Sequence, residues 1–360
     1  MKKIIIIACI IIVVAITGIF LIRSYDSENN KNITVGLIMN GSCDDRSWSQ
    51  SHYEAMLRTS EQTGVNLVYR ENVADADVGP AVDSLISEGS SIIICNSFGY
   101  GEYLTDIAEK YPEVCFFHAS GVHNSENIST FFGRMYQIRY LTGVVAGLQT
   151  ETNEIGYVAA FPISEVNRGI NAFTLGVRSV NPDAKVFVSW TNSWTDDTAA
   201  NEASNKLINN HNIDILTMHV DSLAPLWAAD NNGIMSIGYN FNNNSSCPSS
   251  YLTAAVWSWE NFYIPHITEC ISGNFHGRNY WEGVNTGIVS LAPLGNMAKD
   301  GIAEAVETEK GRLRSGTFDV FYGPVYDNEG NIRIAEGESM SDDAMLNSFD
   351  WYVEGVVTDE

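Results

Sequence analysis

The alternation of apolar runs with amphipathic stretches from residue 33 onward restricts the fold of this 360-residue chain more than any other feature. Short β-branched runs at residues 33–39, 66–69 and 91–95 are separated by helical patterns of about 10–15 residues. Strands that are apolar throughout and alternate with helices indicate a parallel sheet covered on both faces. The sequence therefore predicts an α/β fold.

The same rhythm starts again after a polar stretch at residues 149–153, with runs at residues 155–159, 185–190, 214–218 and 236–239. Two successive series favour two doubly wound lobes over one closed barrel. Polar residues 149–153 and 240–250 are interpreted as crossings between the lobes, with a third crossing after about Gly283. We expect residues 32–149 and about 251–283 to form lobe 1, and residues 150–250 and about 284–360 to form lobe 2.

Residues 1–31 have the pattern of a membrane anchor or signal. Lys2 and Lys3 precede an apolar run from Ile4 to Ile22, and Arg23 follows it. About 19 residues at about 1.5 Å each reach about 28 Å, close to the hydrocarbon thickness of a bilayer. The lysines favour a cytoplasmic N-terminus, which puts the rest of the chain outside the cytoplasm. A retained anchor is favoured because no small-residue cleavage pattern follows the apolar run; the alternative is a secreted or lipid-anchored protein after signal cleavage.

Charge and motif content exclude several classes of function. The sequence has 20 Lys and Arg against 44 Asp and Glu, a net charge of −24, which opposes nucleic-acid binding because phosphate contacts need clustered basic residues. No GxGxxG follows a strand, and neither a phosphate-binding Gly-Lys-Ser/Thr loop nor a GxSxG motif occurs. We therefore expect no catalytic residues, no cofactor and no enzymatic activity.

The cysteines give no metal-binding pattern. Cys43, Cys95, Cys115, Cys247 and Cys270 lie outside the predicted anchor, without a CxxC pair and without His at ligand spacing. We expect no metal site. The five are interpreted as small buried thiols, and a single disulfide remains the alternative.

Polar and aromatic side chains follow the predicted strands, at the edge where an open α/β sheet binds its ligand. The ligand-binding candidates are Asp45, Trp48, Ser97, Phe98, Gly99, Asn192, Trp194, Asp221 and Asn240. Trp48 and Trp194 facing across a cleft would enclose a planar ring, although a single Trp at a strand end can also fill a core. Amide and carboxylate groups suit the donor and acceptor edges of a heterocycle.

Asp44 and Asp45 have two interpretations. A paired-carboxylate acid/base site is one. The other, which is favoured, is that an aspartate caps the helix starting near Ser47 and also contacts the ligand, because a carboxylate accepts hydrogen bonds from the free N–H groups there.

Taken together, the segments 35–53, 97–100, 133–147, 155–182, 190–194, 219–222 and 351–356 resemble the basic membrane protein family of ABC-transporter substrate-binding proteins. The resemblance implies the type I periplasmic-binding-protein fold, in which two Rossmann-like lobes joined by three crossover hinges hold the ligand in a cleft. It is closest to the purine-binding branch and more distant from the purine nucleoside receptor lipoproteins. In those receptors a Phe that stacks on the base takes the place of Trp48, and an acidic residue stands where this chain has His118 or Ala119. This departure from the receptors weakens ribose recognition and favours a free base over a nucleoside.

The function that the resemblance implies is an extracytoplasmic substrate-binding protein that captures a purine base or nucleoside for an ABC permease. The retained anchor raises an alternative, a membrane-tethered sensory or regulatory protein that uses the same fold to report ligand occupancy.

Overall fold

The computed structural model describes residues 32–358 and divides them into two compact units. The predicted membrane anchor lies outside the described residues. Among those described, no helix is both long and apolar enough to cross a membrane. Unit 1 comprises the residues up to Cys43, His52–Phe132 and Trp259–Tyr280; unit 2 comprises Asp44–Ser51, Gly133–Ser258 and the residues from Trp281 onward.

Strands and helices alternate along most of the chain, as the sequence predicts. The strands are β1 (Thr34–Ile38), β2 (Asn66–Arg70), β3 (Ser90–Cys95), β4 (Cys115–Ala119), β5 (Ile128–Gly133), β6 (Glu154–Ala159), β7 (Lys185–Trp190), β8 (Ile215–His219), β9 (Met235–Asn240), β10 (Tyr251–Trp257), β11 (Asn279–Glu282), β12 (Val289–Leu291), β13 (Val325–Tyr326), β14 (Ile332–Ile334) and β15 (Val356–Thr358). The α-helices are α1 (Trp48–Thr63), α2 (Val78–Ser87), α3 (Gly101–Lys110), α4 (Met135–Gln149), α5 (Ser164–Val180), α6 (Asp197–Asn210), α7 (Ala224–Asn231), α8 (Glu260–Ile271), α9 (Ile302–Ser315) and α10 (Asp342–Asn347).

Both large sheets have the same doubly wound strand order. Over the described residues, a six-stranded sheet runs β11-β5-β4-β3-β1-β2 and a seven-stranded sheet runs β12-β10-β9-β8-β6-β7-β15. Strands β1 to β5 pair in parallel, as do β6 to β10, and β12 adds to the second sheet antiparallel to β10. The order reverses between β1 and β3 in one sheet and between β6 and β8 in the other, and ligands of such sheets bind at these points. The predicted α/β class is confirmed.

The core of unit 1 lies between its sheet and helices α2 and α3. Ile93 and Phe116 are fully buried strand residues that pack with Val82 of α2 and Leu104 of α3. These strands are apolar on both faces because helices cover both, which is the pattern seen in the sequence.

Helices α4 and α5 of unit 2 approach each other as closely as glycine allows. A Cβ atom on Gly143 would lie 2.0 Å from the carbonyl oxygen of Phe173, and one on Gly176 would lie 2.0 Å from that of Tyr140. Any side chain at either position would therefore overlap with backbone and force the helices apart.

This packing explains why two segments lie in a different unit from the lobe assigned to them above. Helix α4 and strand β10 both belong to unit 2, because α4 packs on α5 and β10 pairs with β9. The chain passes between units near residues 43–44, 51–52, 132–133, 258–259 and 280–281. The polar residues 149–153 instead form the turn from α4 to β6, where Thr150 Oγ1 donates to Asp214 Oδ1 at 2.7 Å.

The C-terminal segment completes the sheet of unit 2. Strand β15 pairs in parallel with β7, at the end of the strand order. Two buried asparagines of α5 hold the residues before it: Asn167 Nδ2 donates to the carbonyl of Phe349 at 2.9 Å, and Asn171 Nδ2 donates to that of Trp351 at 2.7 Å. The N–H of Val353 donates to Asn171 Oδ1 at 3.0 Å.

Candidate functional site

Three polar side chains of unit 2 form a closed hydrogen-bonded triangle at the carboxyl ends of β8 and β9. Asp221 follows β8, Asn240 ends β9, and Ser47 immediately precedes α1. Asp221 Oδ1 accepts from Ser47 Oγ at 2.8 Å and from Asn240 Nδ2 at 2.6 Å. Asn240 Nδ2 also donates to Ser47 Oγ at 3.1 Å. We call Ser47, Asp221, Asn240 and Trp257 the Asp221 cluster.

Trp257, at the end of β10, fixes the amide of Asn240. Its Nε1 donates to Asn240 Oδ1 at 2.8 Å, so both the donor and the acceptor of this amide bind protein groups. The indole of Trp48 meets that of Trp257 edge to face, with ring centroids 5.7 Å apart and planes at 80°. Trp257 is buried, whereas Trp48 is only half-buried. Trp257 thus supports the indole of Trp48, and part of the Trp48 side chain is exposed to solvent.

The Asp221 carboxyl has an unusual electrostatic environment. Burial raises the pKa of Asp221 to about 7, and the charges of Asp45 and Glu165 act in the same direction. The hydrogen bonds from Ser47 and Asn240 oppose that shift. Both donors bind Oδ1, and within residues 32–358 no hydrogen bond to Oδ2 is found. The ionised carboxylate therefore has one oxygen able to accept a hydrogen bond from a ligand.

Asp45 holds the loop that carries Ser47 and Trp48. Its carboxylate accepts from the backbone N–H groups of Ser47 and Ser49, both at 2.8 Å, and of Gln50 at 2.9 Å. In return, Gln50 Oε1 accepts from the N–H of Arg46 at 2.9 Å, so the loop and the first turn of α1 are bonded in both directions. The predicted capping role of Asp45 is present, and its contact with a ligand stays a prediction.

The loop after β7 carries Asn192 and Trp194 and is tied to the Asp221 loop. The N–H of Asp221 donates to the carbonyl of Trp194 at 2.7 Å. The Trp194 ring is half-buried and lies 5.8 Å from Phe161 and 6.0 Å from His219, centroid to centroid. Asn192 is exposed and has a left-handed backbone, with φ of 53°. The structure thus brings both residues to the same sheet edge as Asp221.

Ser97, Phe98 and Gly99 lie in unit 1, directly after β3. Ser97 Oγ donates to Asp75 Oδ1 at 2.9 Å, and a Cβ on Gly99 would lie 1.9 Å from Asp75 Oδ2. Phe98 is 65% exposed and, together with Gly99 and His118, lines a cavity of about 310 Å³. The Ser97 hydroxyl is thus engaged within unit 1, and a side chain at Gly99 would displace the Asp75 carboxylate.

A buried cation beside Tyr239, the residue that precedes Asn240, was not predicted from the sequence. Arg139 of α4 is fully buried, and its guanidinium lies 4.0 Å from the ring centroid of Tyr239 and 5.6 Å from that of Tyr157. No described residue accepts a hydrogen bond from it. Burial, together with the Arg139 charge, lowers the pKa of neighbouring His219 to about 4, which keeps that imidazole neutral at physiological pH. The available signal was that Arg139 is the single charged residue of α4.

In the part of the chain that the structure covers, no group of three or more His, Cys, Asp or Glu side chains is arranged to hold a metal ion.

Comparison with known proteins gives one consistent family. A model of the Bmp family, described as ABC transporter substrate-binding protein PnrA-like, matches residues 32–314. A purine-binding protein of Brucella abortus is 35% identical over 91% of this chain and 93% of its own length. A putative ABC transporter glucose-binding protein of Haloferax volcanii is 34% identical over 87% of this chain and 77% of its own length.

Comparison with solved structures gives a matching fold. The structure of an ABC transporter solute-binding protein from Conexibacter woesei superimposes with a TM-score of 0.70 at 19% identity, covering 80% of this chain and 98% of that one. The predicted type I periplasmic-binding-protein fold is confirmed.

Proposed function

The chain belongs to the Bmp family of PnrA-like ABC transporter substrate-binding proteins, and we propose that it captures a purine base and delivers it to an ABC permease. The family is one of binding proteins rather than enzymes, and its members act outside the cytoplasm. A small-molecule ligand and a permease partner follow from the family. The identity of the ligand is our proposal.

The observation that carries the proposal is the open Oδ2 of Asp221, on the same side-chain cluster that supports the half-buried Trp48 indole. A purine base is a flat aromatic ring with N–H donors on its edge. A carboxylate oxygen accepts such an N–H, and an indole provides a face for stacking. The cluster therefore offers both contacts.

A sugar is the competing ligand, because the Haloferax relative is named as a glucose-binding protein. A monosaccharide presents several hydroxyl groups, each needing a polar partner when buried. In the Asp221 cluster the Asn240 amide is already fully engaged, with Trp257 on its oxygen and Asp221 and Ser47 on its nitrogen. One open carboxylate oxygen beside an aromatic face suits a heteroaromatic base better than a polyol.

Calorimetric titration of the full chain at pH 8, where Asp221 is ionised, tests the ligand class. Adenine, guanine, hypoxanthine, their nucleosides, glucose and arabinose are the titrants. We expect at least one free purine base to bind at micromolar affinity or tighter, and the sugars not to bind. Binding of a sugar with no response to any purine would overturn the proposal.

The stacking contact is tested by Trp48→Ala. Stacking of a base on an aromatic side chain is worth about 1–3 kcal/mol, so purine affinity should fall about 5- to 150-fold. Trp227→Ala is the matched control, because Trp227 lies on α7 of the same unit and is 43% exposed. Equal affinity of both variants and the parent would show that Trp48 does not contact the base.

Delivery to a permease is tested in the host cell. Cells lacking this gene should lose uptake of a labelled purine base, and uptake should return with the parent gene but be reduced with the gene for Trp48→Ala. Unchanged uptake with a lost cellular response to purine would instead favour the sensory alternative.

A further inference from the structure

The two faces of strand β4 in unit 1 have different neighbours. Phe116 belongs to the core formed with α2 and α3. The ring of Phe117 instead packs against Phe262 of α8, with centroids 5.7 Å apart, and against Phe275 just beyond α8, at 5.3 Å. Since successive side chains of a strand point to opposite faces, the odd-numbered residues of β4 are directed to α8.

Cys115 and Cys270 meet at this interface between β4 and α8. Cys115 lies two residues before Phe117 and so shares its face of the strand. Phe262, His266 and Cys270 follow one another at four-residue spacing along one side of α8. Both cysteines are partly buried free thiols, and each lies close enough to the other to shift its pKa.

This proximity makes the two thiols chemically unequal. The neighbouring Cys270 thiol lowers the pKa of Cys115, and the neighbouring Cys115 thiol raises the pKa of Cys270. The thiolate is the nucleophile in thiol–disulfide exchange, so Cys115 is the attacking residue and Cys270 the resolving one.

We propose that Cys115 and Cys270 form a disulfide bond that links β4 to α8 when the protein meets an oxidant of the disulfide class. The Cys115 thiolate attacks one sulfur of the oxidant, forming a mixed disulfide and releasing one thiolate. Cys270 then loses its proton and attacks the Cys115 sulfur, releasing the second thiolate. The two cysteines lose two electrons, and the oxidant is reduced to two thiols. Members of this family work outside the cytoplasm, where such oxidants persist.

Mass spectrometry of the full chain tests the proposal. The reduced protein and the protein treated with oxidised glutathione are denatured, alkylated with iodoacetamide and weighed intact. The sequence has six cysteines, so the reduced protein should carry six alkyl groups. The oxidised protein should carry two fewer, with one cross-linked peptide pair containing Cys115 and Cys270. Its melting temperature should rise by about 5–15 °C and return to the original value with a reducing agent.

Single variants separate the roles of the two residues. Cys270→Ala should stop at the mixed disulfide, with glutathione on Cys115, whereas Cys115→Ala should react much more slowly at Cys270. Cys43→Ala, which changes a half-buried cysteine elsewhere in unit 1, should cross-link like the parent. Full alkylation of the oxidised parent, or a cross-link that involves another cysteine, would overturn the proposal. Peptide mapping of the parent protein decides this even where a variant fails to fold.

Discussion

Asp221→Asn should remove a pH dependence from the stability of the protein. Burial raises the pKa of Asp221 to about 7 in the folded chain, from an ordinary value of 3.8. Between these two pH values the folded state holds the Asp221 proton more tightly than the unfolded state does. The stabilisation that the group contributes is therefore complete below pH 3.8, and it is lost as the pH rises towards 7.

The size of this effect follows from the two pKa values. At pH 5 the folded chain has Asp221 almost fully protonated, and the unfolded chain has it almost fully ionised. Each pH unit over which the folded and unfolded chains differ by one bound proton changes the free energy of unfolding by about 1.36 kcal/mol. From pH 5 to pH 8 the Asp221 carboxyl should therefore lower the free energy of unfolding by about 2–3 kcal/mol. Asn has no proton to lose in this range and shows no such change.

Urea unfolding of the ligand-free protein measures this difference. The parent and Asp221→Asn are unfolded at pH 5, 6, 7 and 8, with tryptophan fluorescence as the signal. The difference in their unfolding free energies should change by about 2–3 kcal/mol across the series, in favour of the parent at low pH. Asp300→Asn, which changes an exposed carboxylate of unit 2, should show no such change. A difference between parent and Asp221→Asn that is the same at every pH would refute the reasoning.

Three further variants, with one control, are tested by urea unfolding. Gly143→Ala places a Cβ against the carbonyl of Phe173 and should lower the free energy of unfolding by about 1–3 kcal/mol. The control Gly311→Ala, in open space on α9, should raise it by about 0.5–1 kcal/mol, and equal effects of the two variants would contradict the helix contact. Asp45→Ala removes the cap of α1 and should cost about 1–2 kcal/mol; an unchanged midpoint would show that the cap contributes nothing. Arg139→Met replaces a buried guanidinium that donates no hydrogen bond to any described residue, so it should raise the free energy of unfolding by about 1–4 kcal/mol. A lower urea midpoint would show that the aromatic contacts of Arg139 outweigh the cost of burying its charge.

The sequence was sufficient to place the strand-end candidates of unit 2. Asp221 and Asn240 follow apolar runs, and parallel strands bring their carboxyl ends to one edge, so their proximity could be expected without a structure. The role of Trp257 could not. It ends a buried strand and looks like core in the sequence, and its bond to Asn240 depends on how β9 and β10 are paired.

The extent of the two lobes was less predictable. Polar residues 149–153 look like a crossing between lobes, but local polarity marks any exposed turn and does not say which element packs on which. The spacing of Gly143 and Gly147 in α4, with Gly176 in α5, was the available signal, because small residues at four-residue intervals allow close contact between helices. Deciding that these glycines face one another needs the three-dimensional arrangement.

The pairing of β15 with β7 can form only late in synthesis of the chain. A ribosome releases β7 long before it reaches Val356–Thr358, so during synthesis β7 exposes a row of unpaired backbone N–H and C=O groups along one edge. Over the same interval Asn167 and Asn171 lack the carbonyls of Phe349 and Trp351 that they bind in the finished chain. A nonsense mutation between codons 345 and 355 should therefore give an aggregating product, since it would make this transient open edge permanent.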